Sequence, residues 1–524
     1  MKKTILSILL LVGLCTLASA QQQDYNDLSQ LEGQSCTSIM VGKRATPDGS
    51  VINSHICDGR YRTWATIEPA QDHPAGTMHK VYRGTMQTTY SGDTTGVKLV
   101  GQIPEVTHTY SYLNAAYPCM NEHQLVIGET TFSGPDVLVN EKGMFTIEEL
   151  ERVALQRCTK AREAVKLIGQ LVTKYGYGDG GECITIADPD EIWQMEICGE
   201  GKDKIGGVWV AQRVPDDHVA VSANIPRIGR LQRGNPEYFL CSDNVERVAR
   251  RYKLWNGKGE FLWWKAYNSS YGNGKNHRER EWFILDQLAP SQHFDIDAEE
   301  LPFSVKPDAN VDVHKVIELF RATYEGTDLD LCKNVRGTTT RKLDNGKTVT
   351  DTIVSPVANP WIGGAMKSML NTLKPGTIAN VRTVAVAWCS YSWVAQLRGW
   401  LPDEVGTVCW FSFDNPAQSP RIPIFSGNTR LPNGFGLCGQ KDYLEQAAIW
   451  NFRRANKLAT VAWQRTKELH NNTLREQESK AFEHLPKATD AATLNAYTLK
   501  VYDEMSAAWR GLEAKYWKTF GMGF

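Results

Sequence analysis

The order of hydrophobic periodicities along the chain constrains its fold more than any other feature. Runs with strand character gather before residue 225 and again between 381 and 427, whereas helical stripes occupy separate blocks and dominate from Lys441 to about Lys518. Strands and helices that segregate in this way, instead of alternating as β-α-β units, predict an α+β chain with stacked antiparallel sheets and helices outside them. The first pair is the clearest. Cys36 to Val41 alternates, Thr46-Pro47-Asp48-Gly49 supplies turn chemistry, and Ser50 to Ile56 continues as a second strand. A further run spans Gln124 to Thr131. Cys183 to Ala187 is expected to pair with Ile192 to Ile197 across Asp188-Pro189-Asp190, and Val208 to Val214 with His218 to Ala223 across Pro215-Asp216-Asp217.

Between these strands Thr146 and Glu149 match a capping box ahead of Leu150, Val153 and Ala154. A second helix is expected from about Thr159, with Ala161, Ala164, Val165, Ile168, Leu171 and Val172 on one face and an end near Gly176. Residues 243–254 and 310–322 also read as helical, and Thr338 to Thr352 around Asp344-Asn345-Gly346 reads as a polar surface hairpin. With 524 residues and 42% hydrophobic composition, the chain can fill a large core.

Lys2 and Lys3 precede an apolar stretch, Ile5 to Leu17, that closes with Ala18-Ser19-Ala20, the small-x-small pattern of signal-peptide cleavage. Residues 1–20 are therefore expected to be a signal peptide, and the mature protein to be secreted or periplasmic and free of the membrane. Leu14 stands where a lipobox needs a small residue, which argues against lipidation of Cys15. Residues 21–35 read as a polar spacer or pro-segment. Lys and Arg total 58 against 59 for Asp and Glu, so nothing in the charge suits nucleic acid, and partners must be recognised locally. A small substrate fits this balance; homo-oligomerisation is left open.

The chain has twelve cysteines but no C-x-x-C and no Cys/His cluster at zinc spacing, so neither a metal nor an organic cofactor is expected. Loss of Cys15 leaves an odd number, which obliges at least one thiol to stay unpaired within a monomer. Rossmann, P-loop, zincin and G-x-S-x-G signatures are all absent.

The most informative segment is Cys36-Thr37-Ser38-Ile39-Met40-Val41-Gly42-Lys43 with Asp48-Gly49-Ser50, followed by Asp58-Gly59. It resembles the mature start of cysteine dipeptidases of the dipeptidase A type, within the N-terminal-nucleophile (Ntn) hydrolase superfamily and related to penicillin V acylases and bile salt hydrolases. The resemblance extends through Asn121-Glu122-His123-Gln124-Leu125, Gly181-Glu182, Val214-Pro215-Asp216-Asp217 and Ala223-Asn224. It implies a four-layer αββα Ntn-hydrolase sandwich over residues 36–440, with 441–524 as a C-terminal helical extension packed on it. It also implies dipeptide hydrolysis, with Cys36 as nucleophile, Asp58 as the acid that positions the N-terminal amine and Asn121 as an oxyanion donor. Asn224 and His55 are expected to contact substrate. Relatives usually carry Arg-Asn shortly before the acid, whereas this chain has His55-Ile56-Cys57-Asp58, so either His55 or another cation has to replace that arginine. Arg213, Arg227 and Arg398 are candidates for binding a substrate carboxylate. Arg60 and Arg62 read as solvated, and Glu182 and Cys57 as structural.

The chemistry of such a start stands without the resemblance. A thiol on the first residue of a mature chain lies within reach of its own α-amino group, whose ordinary pKa of about 7.7–8.0 suits a general base near neutrality. While the Ser35-Cys36 bond is intact that nitrogen is an amide without useful basicity, so processing acts as the switch. The resemblance implies autocatalytic cleavage by the Cys36 thiol; the sequence alone equally permits a separate protease. Two rival readings are an acylase of conjugated bile acids or penicillin V on the same fold, and a non-catalytic exported glycan- or peptide-binding protein.

Overall fold

A computed structural model describes residues 35–268 and 275–521; the expected signal peptide and all of the spacer except Ser35 lie outside the described residues. Two antiparallel sheets organise the chain. The first runs, edge to edge, β12 (Ser304–Val305), β10 (Val219–Ser222), β1 (Ser35–Val41), β2 (Val51–Asp58), β13 (Cys389–Leu397), β14 (Thr407–Phe413) and β15 (Ile422–Phe425). The second runs β11 (Phe239–Cys241), β9 (Gly207–Val214), β8 (Ile192–Gly199), β7 (Gly181–Ala187), β6 (Val126–Phe132), β5 (Met120–Asn121), β4 (Tyr112–Asn114) and β3 (Thr66–Glu68).

Every residue of β1, β2, β7, β8 and β14 is buried. Strands covered on both faces lose the polar-apolar alternation of a half-exposed sheet, which is why these runs read as nearly continuous apolar stretches. The sheets pack face to face. Asn53 of β2 donates from Nδ2 to the Thr185 carbonyl of β7 at 3.1 Å, and the Thr130 and Ser222 hydroxyls of β6 and β10 lie 2.5 Å apart. Gly128 of β6 permits this approach, because a Cβ there would stand 3.2 Å from the His55 Cβ and 3.3 Å from the Trp393 ring.

Helices cover both outer faces. On the second sheet, α1 (Ile147–Arg157) precedes α2 (Ala161–Tyr175), and α2 lays its Ala164, Val165, Ile168 and Val172 stripe on β7, β8 and β9, as its period predicts. On the first sheet, α3 (Lys275–Leu288) packs over β10, α4 (Val313–Phe320) over β13, and α5 (Ala448–Ala459) and α7 (Ala491–Phe520) over β14 and β15. The helix α6 (Trp463–Glu483) lies against α5 and α7, and its Phe482 stacks on Trp410 at 3.6 Å. The architecture is α+β. Among the described residues no helix is long and apolar enough to cross a membrane.

Two local expectations fail for identifiable reasons. Val208–Val214 and the strand after Pro215-Asp216-Asp217 do not form a hairpin: β9 pairs with β8 and β11 in one sheet, while β10 pairs with β1 and β12 in the other. The turn is a crossover, held because Gly42, with no Cβ, lets β1 approach the Pro215 and Asp216 carbonyls; Gly42 N–H donates to His218 O at 3.0 Å and Arg44 N–H to Asp216 O at 2.8 Å. Thr146 sits at the helix N-cap but makes no capping bond, and Glu149 turns instead to Arg152 and to the backbone N–H of Tyr82. The polar hairpin is present and exposed, Arg336–Lys342 against Thr348–Val354.

Candidate active site

At the start of β1 the side chain and the backbone of Cys36 meet two different environments. Cys36 points between the sheets. Its Sγ donates to Glu129 Oε1 of β6 at 2.8 Å, and the Ser38 hydroxyl, two residues on, donates to the Glu129 carbonyl at 3.5 Å. Register places Cys57 opposite Cys36, so His55 shares the inward face. His55 Nδ1 bonds the Glu129 carbonyl at 2.9 Å, and its ring packs among Tyr117, Tyr391 and Trp393.

The backbone of Cys36, in the plane of the sheet, is held by other groups. Cys36 N–H donates to Asn224 Oδ1 at 2.9 Å, and Asn224 in turn donates from Nδ2 to Thr131 O at 2.6 Å. Asn224 follows β10 with φ 65°, a left-handed conformation that asparagine tolerates better than most residues, and the crossover delivers it here. Arg280 of α3 donates to Cys36 O at 2.5 Å, Thr37 Oγ1 at 2.8 Å, Ala223 O at 3.0 Å and Asn224 Oδ1 at 2.9 Å. One guanidinium thus ties the end of β1 to the end of β10. Asp58, opposite Ser35 in the register, is fully buried and pairs with Arg382, which also donates to Ser35 Oγ at 2.7 Å. Asp58 and Arg382 therefore flank the Ser35-Cys36 peptide bond.

Electrostatics follows this division. Burial first, and then the nearby Glu129 carboxylate, push the Cys36 thiol well above its ordinary value, so it is protonated while Ser35 is attached. Burial lowers His55 to about 3, against the opposing bond to the Glu129 carbonyl, and the ring is neutral. Glu129 is raised by burial to about 7, with the bonds from Cys36 and toward Glu182 and Thr131 acting the other way. Burial lowers Arg280 to about 9, leaving it charged at neutral pH. Asp58 is raised by burial, with Arg382 and then Arg280 opposing.

Of the residues singled out in the sequence, Cys36, Asp58, His55 and Asn224 come together. Asn121 does not join them. Its Nδ2 donates to the Leu155 and Cys158 carbonyls at the end of α1, at 2.8 and 2.9 Å, and its Oδ1 accepts from the N–H groups of His123 and Leu125. That amide closes a loop on the helix-covered side of the second sheet and has no donor to spare for an oxyanion. Burial leaves His55 neutral, and the cations that stand beside Cys36 and Ser35 are Arg280 and Arg382. Arg213 is engaged by Glu191, Asp216 and Glu237, Arg227 by Glu281 and two carbonyls, and Arg398 by the Val405 and Gly406 carbonyls. Arg62 is buried, not solvated, stacked over Trp64 at 3.5 Å and bonded to Ala115 O. Sequence reasoning missed Arg280 and Arg382 because Arg278-Glu279-Arg280-Glu281 reads as a solvated helix face and Arg382 lies in a loop. It missed Glu129 although a lone acid within an apolar strand was a visible signal. All eleven cysteines among the described residues are free thiols.

The family model described as peptidase family C69 matches residues 35–476. The chain belongs to this family and is a peptidase. It is 24% identical over 402 residues to a probable dipeptidase of Latilactobacillus sakei, covering 76% of this chain and 75% of that protein. It is 24% identical over 442 residues to probable dipeptidase B of Streptococcus pyogenes serotype M1, covering 81% and 78%. Probable dipeptidase B of Lactococcus lactis subsp. lactis is 26% identical over 419 residues, covering 76% of each.

Proposed function

We propose that this chain is an exported cysteine dipeptidase of the Ntn-hydrolase type, activated when the bond before Cys36 is cut. The observation that carries the reading is the gathering of four polar groups around the start of β1: Asn224 accepts from the Cys36 N–H, the buried Arg280 donates to the Cys36 carbonyl, and the buried Asp58 with Arg382 holds the Ser35 hydroxyl. A strand residue of purely structural role has no need of them. The two packed sheets with helices on both outer faces support the αββα reading, and the names of the relatives support dipeptides as substrates.

Cutting before Cys36 turns the Asn224-bonded amide nitrogen into an amine. Asn224 and Asp58 orient it, and the positive field of Arg280 and Arg382 favours its neutral, basic form at neutral pH. The amine takes the thiol proton, and the thiolate attacks the peptide carbonyl. The leaving amine collects the proton as the thioester forms, and water resolves the thioester. Glu129 opposes the thiolate, so a negative charge on sulfur is short-lived unless spent on attack. The pre-Cys36 residues and the N-terminal leader make the chain an exported zymogen.

Processed wild-type protein and Cys36→Ala are to be compared on a panel of dipeptides and acyl amides. The reading expects dipeptide hydrolysis by the wild type alone. Turnover of acyl amides only moves the assignment to an acylase, and equal dipeptide turnover by Cys36→Ala removes it altogether.

A further inference from the structure

Three groups able to ligate a metal meet at the thiol. Cys36 Sγ, a ring nitrogen of His55 and a carboxylate oxygen of Glu129 lie within 4.8 Å of one another, and all three residues are buried. They come from β1, β2 and β6, so no ligand spacing in the sequence announces them. The His55 ring is already set as a ligand. Because a backbone carbonyl only accepts, the bond to Glu129 O places the proton on Nδ1 and leaves the lone pair on Nε2. Nε2 is buried with no hydrogen-bond partner and stands 3.8 Å from Glu129 Oε1. A carbonyl on one ring nitrogen and a free lone pair on the other is the arrangement that orients metal-binding imidazoles.

Distances and charge agree. Tetrahedral bonds of about 2.0–2.3 Å put neighbouring donor atoms ~3.3–3.7 Å apart. The His55–Glu129 separation is near that value, and the 2.8 Å Sγ···Oε1 hydrogen bond has to open by less than ~1 Å. One thiolate and one carboxylate neutralise a divalent ion, so the complex adds no net charge to a buried site walled by Tyr117, Tyr391 and Trp393. Thiolate with imidazole and a single carboxylate suits a borderline ion such as Zn²⁺ and not Mg²⁺ or Ca²⁺, which take oxygen ligands.

The geometry points to a Zn²⁺ site made by Cys36, His55 and Glu129, at which the ion masks the thiol and reversibly shuts the enzyme down. Binding releases the thiol proton to solvent, together with any proton on Glu129, and water completes the fourth position. The ion is an inhibitor and takes no part in hydrolysis. The inhibitory consequence rests on Cys36 being the nucleophile; the binding site does not.

Chelator-treated full-length protein is to be titrated with Co²⁺, reading the near-ultraviolet thiolate-to-metal band and the visible bands of four-coordinate Co²⁺. One equivalent per chain is expected, displaced by Zn²⁺, with the thiolate band lost in Cys36→Ala. His55→Gln and Glu129→Gln should each weaken binding at least tenfold, and the second variant gives an independent answer should the first fail to fold. In processed protein, dipeptide hydrolysis should fall with one equivalent of Zn²⁺ and return with EDTA. A folded wild-type protein that shows no thiolate band, or a folded His55→Gln or Glu129→Gln variant that binds Co²⁺ as tightly as wild type, overturns the site. The spectrum needs no turnover, so a protein that gives the band but cleaves no dipeptide upholds this inference and contradicts the functional reading instead.

Discussion

On the inward face of β1 the Cys36 thiol bonds a carboxylate and faces a neutral imidazole, whereas the backbone of the same residue, in the plane of the sheet, is held by an asparagine that reaches on to β6 and by an arginine from the outer helix α3, with a second arginine one residue away. The groups around the thiol disfavour a thiolate; the two arginines beside the backbone would favour an uncharged nitrogen once it is freed as an amine. A strand residue presents its side chain to one layer while its N–H and C=O stay in the sheet plane, and the next residue, Thr37, faces the other layer, where Arg280 meets it. On the proposed reading the proton acceptor is the nitrogen of Cys36 itself, held apart from the groups that surround the thiol.

The comparison breaks most completely at the thiol. Cys36→Ala should bring dipeptide hydrolysis to background with the fold retained, checked by circular dichroism alongside activity. On the backbone side, Arg280→Met releases the ends of β1 and β10 together, and kcat/KM should fall ~10²-fold, the cost of an attacking group displaced by about 1 Å. Removing a positive charge beside the nucleophilic pair should also move the acid limb of its pH–rate profile upward. Glu129→Gln tests the inward side with the opposite sign: loss of a negative charge lowers the thiol pKa, so the limb should move downward and iodoacetamide should label Cys36 faster. Shifts in the same direction for both variants would contradict the division.

Arg382→Met leaves Asp58 buried without its cation and should cost ~3–5 kcal/mol of stability in urea unfolding. Adding Asp58→Asn should recover part of that loss. The smallest effect lies away from the site. Glu148 in α1 is buried, and burial, then Glu149, raise it to about 7. A carboxyl raised above its unfolded value contributes stability that is fully present below pH ~4.5 and is lost as pH rises through about 7. Glu148→Gln should therefore raise the melting temperature at pH 8 and leave it little changed at pH 5, by scanning calorimetry.

Much of this frame was legible in the sequence, because long periodic segments and turn residues act locally. The β1–β2 pair, the α2 stripe and the Asn345-Gly346 hairpin each follow from chemistry contained within about twenty residues. What escaped is non-local. The Pro215-Asp216-Asp217 turn carries good hairpin chemistry, and only the other sheet decides that it is a crossover. Arg280 and Arg382 are surface-like by type and become site residues through a helix and a loop that arrive from more than 200 positions away. Asn121 erred in the other direction: an amide before a strand suits an oxyanion hole and a loop clasp equally well, and the α1 carbonyls took it.

The central claim is that the nitrogen of Cys36 is a free amine in the working enzyme. Edman sequencing of the active protein tests it directly: the account predicts a single sequence beginning Cys-Thr-Ser-Ile, with activity proportional to the fraction cut there. Full activity in a chain that still carries Ser35 would contradict it.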